Sequence, residues 1–484
     1  MNQEIQQLEP KRLWNNFAKL NAVPRPSKKE ERIIEFMMNF GKSLKLDTFK
    51  DEVGNVIIRK EATRGMEDRK PITLQSHLDM VHQKNSATEF DFETQGIEMF
   101  VEGDWVKAKG TTLGADNGIG VAAIMGLLES QDIAHPPIEA LFTIDEETGM
   151  TGAKGLKENL LRGKILLNLD TEEDDEIDIG CAGGIDITAT RTYDEQDVPK
   201  RTIAYVMSVK GLHGGHSGMD IHRGFGNANK IMNRLLFKST EEFDIGVAHI
   251  DGGSLRNAIP RESFATIVVG EDKKEDFEVK LTEWIQDIKS ENSYIESNLD
   301  ITLVTAGLPA KIMEKIAQRK ILKAIYGAHN GVYSMSAAIP DLVETSNNIA
   351  RIEVKSGKIT IGCLTRSSVD SAKFDLANSL KSVFELADCT VTLAGDYPGW
   401  SPNPNSEILE VLKEQYVVLF KEKPQVVACH AGLECGILGH NYPEMDMISF
   451  GPTIKGAHSP DERVNVPSVK KFWTFLLQIL KSTP

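Results

Sequence analysis

Short apolar runs alternate with helical segments in the first third of the chain, and this alternation limits the accessible folds more than any other feature. The runs at Asn55–Arg59, Ile72–Gln75 and Ala140–Ile144 have the length and character of buried strands. Between the last two lies Gly118–Leu128, a helix candidate built from small apolar residues. Strands that alternate with helices favour an α/β fold, with a mostly parallel central sheet flanked by helices.

The pattern changes near residue 186. From there the expected order is strand, helix, strand, strand, helix, strand, and the same order then follows without its first strand. This order predicts an α+β lid domain of two similar, ferredoxin-like halves. We expect a catalytic domain formed by residues 1–185 and 399–484, with the lid inserted at 186–398. Three consecutive domains are the alternative.

Composition narrows the classes of partner and compartment. The 71 acidic and 55 basic residues give a net charge of −16, which counts against nucleic acid and anionic membranes as partners. No apolar run approaches the roughly 20 residues of a membrane span. The polar opening at residues 1–9 does not resemble a signal peptide. Five scattered cysteines, an odd number, predict no disulfide framework and a cytoplasmic location.

Five motifs place polar side chains at expected strand ends or in glycine-rich loops. In the first, His77 and Asp79 lie two residues apart on a strand and therefore project the same way. A histidine ligand commonly passes its second ring proton to a carboxylate, which suits this pair. A core histidine is the alternative.

In the second motif, Asp116 lies in a glycine-rich turn before a helix, where a helix cap is the alternative role. In the third, Asp145, Glu146 and Glu147 follow an apolar strand. They form either a solvated charge run or part of a site, because α/β sites lie at such strand ends.

The fourth motif places Asp170 after an apolar strand, and the fifth places His458 in a glycine-bounded loop. Together the motifs supply imidazole and carboxylate groups without a thiolate. This set suits zinc or manganese, and two metals can share a bridging carboxylate.

The order and spacing of the five motifs resemble the di-zinc metallopeptidase family of aminoacylases, carboxypeptidases and carnosinases, and within it the aminoacyl-histidine dipeptidase branch. The resemblance spans nearly the whole chain, including Gly103–Ala108 and residues 211–225. It implies hydrolysis of Xaa-His and broader unblocked dipeptides by a metal-activated water with a glutamate general base. It also implies two divalent metal ions, zinc, with cobalt or manganese as substitutes.

The resemblance implies a metal ligand set. His77 and Asp170 would bind one metal, Glu147 and His458 the other, and Asp116 would bridge them. It further implies a cis peptide bond directly after Asp116.

The remaining implied roles concern catalysis and substrate. Glu146 would be the general base, and Asp79 the partner of the first ligand histidine. From the lid, His216 would polarise the scissile carbonyl, while Asn257 and Arg366 would contact a small peptide substrate. A homodimer is also implied.

Three alternatives remain open at this point. One is a non-catalytic binding protein that keeps the fold, and another is a structural protein that uses the duplicated lid. Within the enzyme class, an N-acyl-amino-acid deacylase or an aminotripeptidase is the alternative activity.

Overall fold

The computed structural model describes residues 4–484 and divides into two compact units. The first unit contains the chain up to Gly180 together with Trp400–Ala428 and Leu433–Pro484, and the second contains Cys181–Gly399 and Cys429–Gly432. The second unit thus includes a four-residue segment that the sequence analysis assigned to the catalytic domain. The role of residues 186–398 as a lid stays a prediction.

The α-helices among the described residues are α1 (Lys11–Leu20), α2 (Glu31–Ser43), α3 (Ala115–Glu129), α4 (Thr151–Gly155), α5 (Ala228–Phe243), α6 (Lys274–Asn292), α7 (Lys315–Gly327), α8 (Asp370–Glu385), α9 (Glu407–Phe420), α10 (Glu434–Asn441) and α11 (Val466–Ser482). None of them combines the length and the apolar character that a membrane span requires.

The strands among the same residues are β1 (Asp47–Lys50), β2 (Val56–Lys60), β3 (Ile72–His77), β4 (Met99–Glu102), β5 (Trp105–Ala108), β6 (Ile138–Thr143), β7 (Ile165–Asn168), β8 (Glu176–Cys181), β9 (Gly183–Thr192), β10 (Glu195–Asp197), β11 (Thr202–Lys210), β12 (Gly246–Gly252), β13 (Ser263–Gly270), β14 (Asp300–Ala306), β15 (Lys311–Met313), β16 (Gly331–Met335), β17 (Val343–Lys355), β18 (Lys358–Ser367), β19 (Thr390–Tyr397), β20 (Gln425–Cys429), β21 (Asp446–Ser449), β22 (Ile454–Lys455) and β23 (Arg463–Asn465).

The main sheet of the first unit has the order β1-β2-β6-β3-β7-β21-β8-β20. Its centre, β6-β3-β7-β21, is parallel, and the flanking pairs β1-β2, β2-β6 and β21-β8 are antiparallel. Every residue of β3 and β6 is buried, as expected for central strands covered on both faces. The carboxyl ends of β3, β6 and β7 therefore meet at one edge of the sheet, the usual place for an α/β site.

The second unit is built on an antiparallel sheet of order β14-β11-β13-β12-β17-β18-β9-β19, with β16 paired to β17. Helices α5 to α8 enclose a large apolar core with the sheet, and Leu235, Trp284, Ile321 and Leu380 are part of it. The first half, β11-α5-β12-β13-α6-β14, has the strand order of a ferredoxin-like unit.

The second half was expected without a first strand. In the structure β9 serves as that strand, although it precedes the first half in the chain. With β9 as its first strand, the second half continues through α7, β17, β18, α8 and β19. The two halves are therefore not in tandem, because the first is inserted between β9 and α7 of the second.

The apolar spacing of the sequence predicts the first helix of the second half over 312–326, and in the structure this helix begins later. Ile312 lies in β15, where it pairs with Gln196 of β10, and α7 starts only at Lys315. The apolar spacing of this region suits a helix. Residues 311–313 nevertheless form a strand, because they pair with β10.

Candidate metal centre

His77 and Asp79 lie where β3 ends, and both are buried. Nδ1 of His77 faces Asp79, at 3.2 Å from its carbonyl oxygen and 3.4 Å from its carboxylate Oδ1. These two oxygens accept the Nδ1 proton, so Nε2 keeps its lone pair for a cation.

The opposite nitrogen of His77 faces two carboxylates. Its Nε2 lies 3.1 Å from Asp116 Oδ1 and 3.5 Å from Asp170 Oδ1. Asp170 follows β7 by two residues, so parallel pairing of β3 with β7 places these groups together. Asn117 donates from Nδ2 to the Asp170 carboxylate and to the carbonyl oxygen of Leu169.

Asp116 connects this group to a second one. It lies in the non-helical start of α3, and the Asp116–Asn117 peptide bond is cis, as the resemblance implied. Its Oδ2 lies 3.2 Å from His458 Nε2, which in turn lies 3.0 Å from Glu147 Oε2. Two groups of potential ligand atoms therefore share Asp116, and each group fits within 4.8 Å.

The turn after β6 presents the two adjacent glutamates differently. The backbone N–H groups of Glu146 and Glu147 donate to the Asp79 carboxylate at 3.0 and 3.3 Å. Ser27 Oγ donates to the same carboxylate at 2.8 Å. Asp79 thus orients both the imidazole of His77 and the backbone of the glutamate turn.

Several carboxyl groups of the cluster are crowded and buried, and burial raises their pKa values. Burial raises the pKa of Glu146 well above its usual value, against the opposing charge of His77. Burial also raises the pKa values of Glu147, Asp170 and Glu172, in the last case to about 8. The neighbouring cationic groups do not neutralise all of these carboxylates. Such an excess of negative charge is typical of a site that binds cations.

The excess of negative charge also raises the pKa values of the two histidines in the cluster. Hydrogen bonds to Asp116 and Glu147 raise the pKa of His458 to about 11. Burial acts to lower the pKa of His77, but the charge of Asp170 and the hydrogen bond to Asp116 hold it well above its usual value.

The donor set fits divalent metal ions. All donors are imidazole nitrogens or carboxylate oxygens, the ligands that zinc and manganese accept. Glu147 Oε1 is buried and has no hydrogen-bond partner among the described residues, which is costly for a carboxylate oxygen unless a cation lies beside it. The cluster can therefore accommodate a pair of cations that share Asp116.

The other candidate residues lie together in the second unit. Arg366 Nη2 lies 3.4 Å from His216 Nε2. The backbone N–H of Ser217 donates to the carbonyl oxygen of Asn257 at 2.7 Å. Nδ1 of His216 accepts the backbone N–H groups of Gly218 and Met219, at 3.2 and 3.1 Å.

Arg366 is 4% exposed although it is a cation. Its guanidinium donates to Tyr397 Oη at 2.8 Å and to Ser217 Oγ at 3.4 Å, and it forms no ion pair within residues 4–484. A buried guanidinium with no carboxylate within ion-pair distance among the described residues favours binding of an anion.

Sequence reasoning missed several supporting residues. Glu434 accepts hydrogen bonds from Gln75 Nε2 and Thr143 Oγ1, both at 2.6 Å, and burial raises its pKa to about 8. His430 packs in the second unit with Nε2 2.8 Å from Ser346 Oγ, and burial together with Arg366 lowers its pKa to about 3. The stretch around Glu434 resembles a family motif, but no periodicity signals that such polar positions are buried.

Comparison with known proteins agrees with this geometry. The model of the peptidase family M20/M25/M40 matches residues 73–482. The cytosol non-specific dipeptidase of Escherichia coli (strain K12) is 43% identical over 481 residues, which cover 99% of each chain.

Solved structures are similar over the same length. The aminoacylhistidine dipeptidase of Vibrio alginolyticus superposes with a TM-score of 0.93 at 42% identity and covers 99% of this chain and 98% of its own. The aminopeptidase PepT of Bacillus cereus, with a TM-score of 0.58 at 16% identity over 98% of this chain and 99% of its own, shares the fold. The family match and the identity over the full length lead to one conclusion: the chain belongs to peptidase family M20/M25/M40.

Proposed function

We propose that this chain is a metal-dependent dipeptidase that hydrolyses Xaa-His and other unblocked dipeptides. The observation that carries the proposal is the pair of histidine–carboxylate groups that share Asp116 at the carboxyl edge of the main sheet. The Escherichia coli and Vibrio alginolyticus relatives, which resemble the chain over its full length, are both dipeptidases by name. An N-acyl-amino-acid deacylase is not favoured by these relatives.

In the proposed ligand set, His77 and Asp170 would hold one divalent ion, Glu147 and His458 would hold a second, and Asp116 would contribute to both. Zinc suits these donors, with cobalt or manganese as substitutes. The chemistry such ions supply when bound is Lewis acidity, which polarises a carbonyl and lowers the pKa of water.

The proposed proton carrier is Glu146. It accepts a proton from the attacking water as the new C–O bond forms, and then delivers this proton to the nitrogen of the leaving amine as the peptide C–N bond breaks. Burial raises the pKa of Glu146, which favours a carboxyl that holds the proton between these two transfers.

Asp79 has a positioning role in this proposal. Its carboxylate accepts the backbone N–H of Glu146 and faces Nδ1 of His77, so one side chain orients both the base and a ligand. A carboxylate that accepts the Nδ1 proton of a ligand histidine sets its tautomer and raises its basicity.

Residues 186–398 are proposed to act as a lid that supplies substrate contacts. His216, whose Nδ1 accepts the backbone N–H groups of Gly218 and Met219, is proposed to polarise the scissile carbonyl through Nε2. Arg366 presents the planar fork that binds a carboxylate bidentately, which suits the free C-terminus of a dipeptide. Asn257, whose backbone contacts the His216 loop, is proposed as a further substrate contact.

A cytoplasmic location and assembly as a homodimer complete the proposal. The location is supported by the Escherichia coli relative that matches the chain over its full length, a cytosol dipeptidase by name. The homodimer rests on the family resemblance alone.

The proposal is tested with the purified protein, freed of metal by a chelator and reloaded with zinc, cobalt or manganese. Dipeptides with a free amino and carboxyl terminus should be hydrolysed in the loaded protein, with much less turnover of tripeptides and N-acetyl amino acids. A preference for N-acetyl amino acids would indicate a deacylase, and equal activity of the metal-free protein would contradict the metal requirement.

A further inference from the structure

A buried glutamate connects the two loops that carry Asp116 and His458. Glu462 follows His458 by four residues, is 2% exposed, and directly precedes β23. Its carboxylate oxygens accept four consecutive backbone N–H groups, at 2.7, 2.9, 2.7 and 3.3 Å, from Leu113, Gly114, Ala115 and Asp116.

This arrangement requires an unusual backbone. Four successive N–H groups converge on one anion only when the chain forms a concave turn, an anion-binding nest. Gly114 provides the turn with its φ of 69°, in the left-handed region that glycine adopts without strain. The side chain of Glu462 thus takes the place that a bound anion occupies in such nests.

A second buried side chain holds the same turn from its carbonyl side. Arg25 is 1% exposed, and its Nη2 donates to the carbonyl oxygen of Gly114 at 2.5 Å. Its Nη1 donates to the carbonyl oxygens of Leu78 and Asp79, both at 3.0 Å. The turn before Asp116 is therefore tied to the His458 loop through Glu462 and to the end of β3 through Arg25.

We infer that Glu462 is a positioning residue for the metal centre. Because its backbone belongs to the loop of His458 and its carboxylate binds the turn before Asp116, it holds these two proposed ligands in register. The inference rests on the proposed ligation of metal by Asp116 and His458. A glutamate that only stabilised the fold would leave the metal affinity of the folded protein unchanged.

The test compares Glu462→Gln with the matched control Asp461→Asn, whose side chain is exposed. Glutamine keeps the size of the side chain but turns one oxygen into an NH₂ group that faces backbone N–H donors. In the metal-free protein, amides 113–116 should exchange hydrogen at least tenfold faster in Glu462→Gln and at the wild-type rate in Asp461→Asn. Unchanged exchange in Glu462→Gln would overturn the inference.

The second readout is Zn²⁺ affinity, measured by chelator competition on the folded proteins. Glu462→Gln should bind Zn²⁺ at least tenfold more weakly than the wild type, and Asp461→Asn should bind it as the wild type does. Lower thermal stability with wild-type Zn²⁺ affinity would show a purely structural role and overturn the inference. If Glu462→Gln fails to fold, Glu462→Asp, which keeps the charge on a shorter side chain, takes its place with the same expectations.

The outcomes separate this inference from the proposed function. A wild-type protein that binds no Zn²⁺ would contradict the proposed ligands themselves and the inference with them. A wild-type protein that binds Zn²⁺ beside a Glu462→Gln protein of equal affinity would contradict only the role of Glu462.

Discussion

The carboxylate of Asp79 accepts the backbone N–H of Glu146 at 3.0 Å, and the same carboxylate lies 3.4 Å from Nδ1 of His77. One buried side chain is thus shared between the proposed base and a proposed metal ligand. Substitution by asparagine tests the role of Asp79, because asparagine has nearly the same shape. Its NH₂ group cannot accept a hydrogen bond, so it would face either Nδ1 of His77 or the backbone N–H of Glu146 without accepting from it.

Asp79→Asn should weaken Zn²⁺ binding by about 10- to 100-fold, the range for loss of a partner behind a ligand histidine. Its kcat should fall as well, because the backbone of Glu146 loses an acceptor. Chelator competition and steady-state kinetics measure the two effects, and Ser27→Ala, which removes one hydrogen bond to Asp79, should change both much less. Wild-type affinity and kcat in Asp79→Asn would contradict the role.

Glu146→Gln should retain its metal ions and bind substrate while kcat falls at least ~100-fold, since proton transfer is lost. Metal content per chain and single-turnover rates measure this. The adjacent Glu147→Gln is the comparison, because a ligand substitution should lower metal content. Near-normal turnover in Glu146→Gln would assign the base elsewhere.

His458→Ala should lose about one metal per chain compared with the wild type, because its imidazole serves only the second proposed ion. Elemental analysis after dialysis measures the loss. His440→Ala, a substitution on α10, serves as a control for the removal of an imidazole. Two tightly bound metals in His458→Ala would refute the ligand assignment.

Arg366→Lys and Arg366→Ala should both lose most activity on a free dipeptide, because neither side chain binds a carboxylate bidentately. The preference for the dipeptide over its C-terminal amide should collapse at the same time. Rates on both substrates measure the effect, with Arg223→Ala as a control at an exposed arginine. Unchanged discrimination between acid and amide would place the carboxylate anchor elsewhere.

Asp178→Asn should stabilise the protein at high pH. Burial raises the pKa of Asp178 to about 7, so between its unfolded pKa near 4 and this value the folded state retains a proton that the unfolded state has lost. Wild-type stability therefore decreases as the pH rises through this window, and asparagine avoids the decrease. The oxygen that accepts from Thr171 Oγ1 is preserved in asparagine.

The Tm of Asp178→Asn should thus equal that of the wild type near pH 4 and exceed it by several degrees at pH 8. Thermal unfolding at both pH values in the same metal state measures the difference. Asp104→Asn, at an exposed position, should show no such pH-dependent gain. A constant Tm difference across the range would show that Asp178 is ionised in both states.

Sequence patterns located the central strands of the first unit well. Apolar runs of strand length become β3, β6 and β7, because strands covered on both faces consist almost entirely of apolar residues. The same logic placed His77 and Asp170 at strand ends. The assignment of individual ligands came from the family resemblance and stays a prediction.

Most features that sequence patterns do not predict involve polar side chains that are buried in the folded protein. β17 begins at Val343, but its first residues include Thr345, Ser346, Asn347 and Asn348, a polar run that looks like a loop. These side chains are buried because they hydrogen-bond to distant groups, such as Asn347 to the carbonyl oxygen of His329 and Asn348 to that of Ala258. Such partners depend on tertiary structure, which local patterns do not encode.

The same reason applies to Arg25 and Glu462. Charged residues are usually exposed, so composition alone favours solvent positions for both. Their burial follows from carbonyl and amide groups that converge only after the loops have folded.

The position of β9 has a consequence for how the protein is made. The half that runs from β11 to β14 is continuous in sequence, so its strands can pair as soon as they leave the ribosome. By contrast, β9 pairs with β18 and β19, which are synthesised more than 160 residues later. During that interval β9 has open edges, a state prone to pairing with other chains. Early folding of the inserted half shortens the effective loop between β9 and its partners, and thereby lowers the entropy cost of closing the sheet.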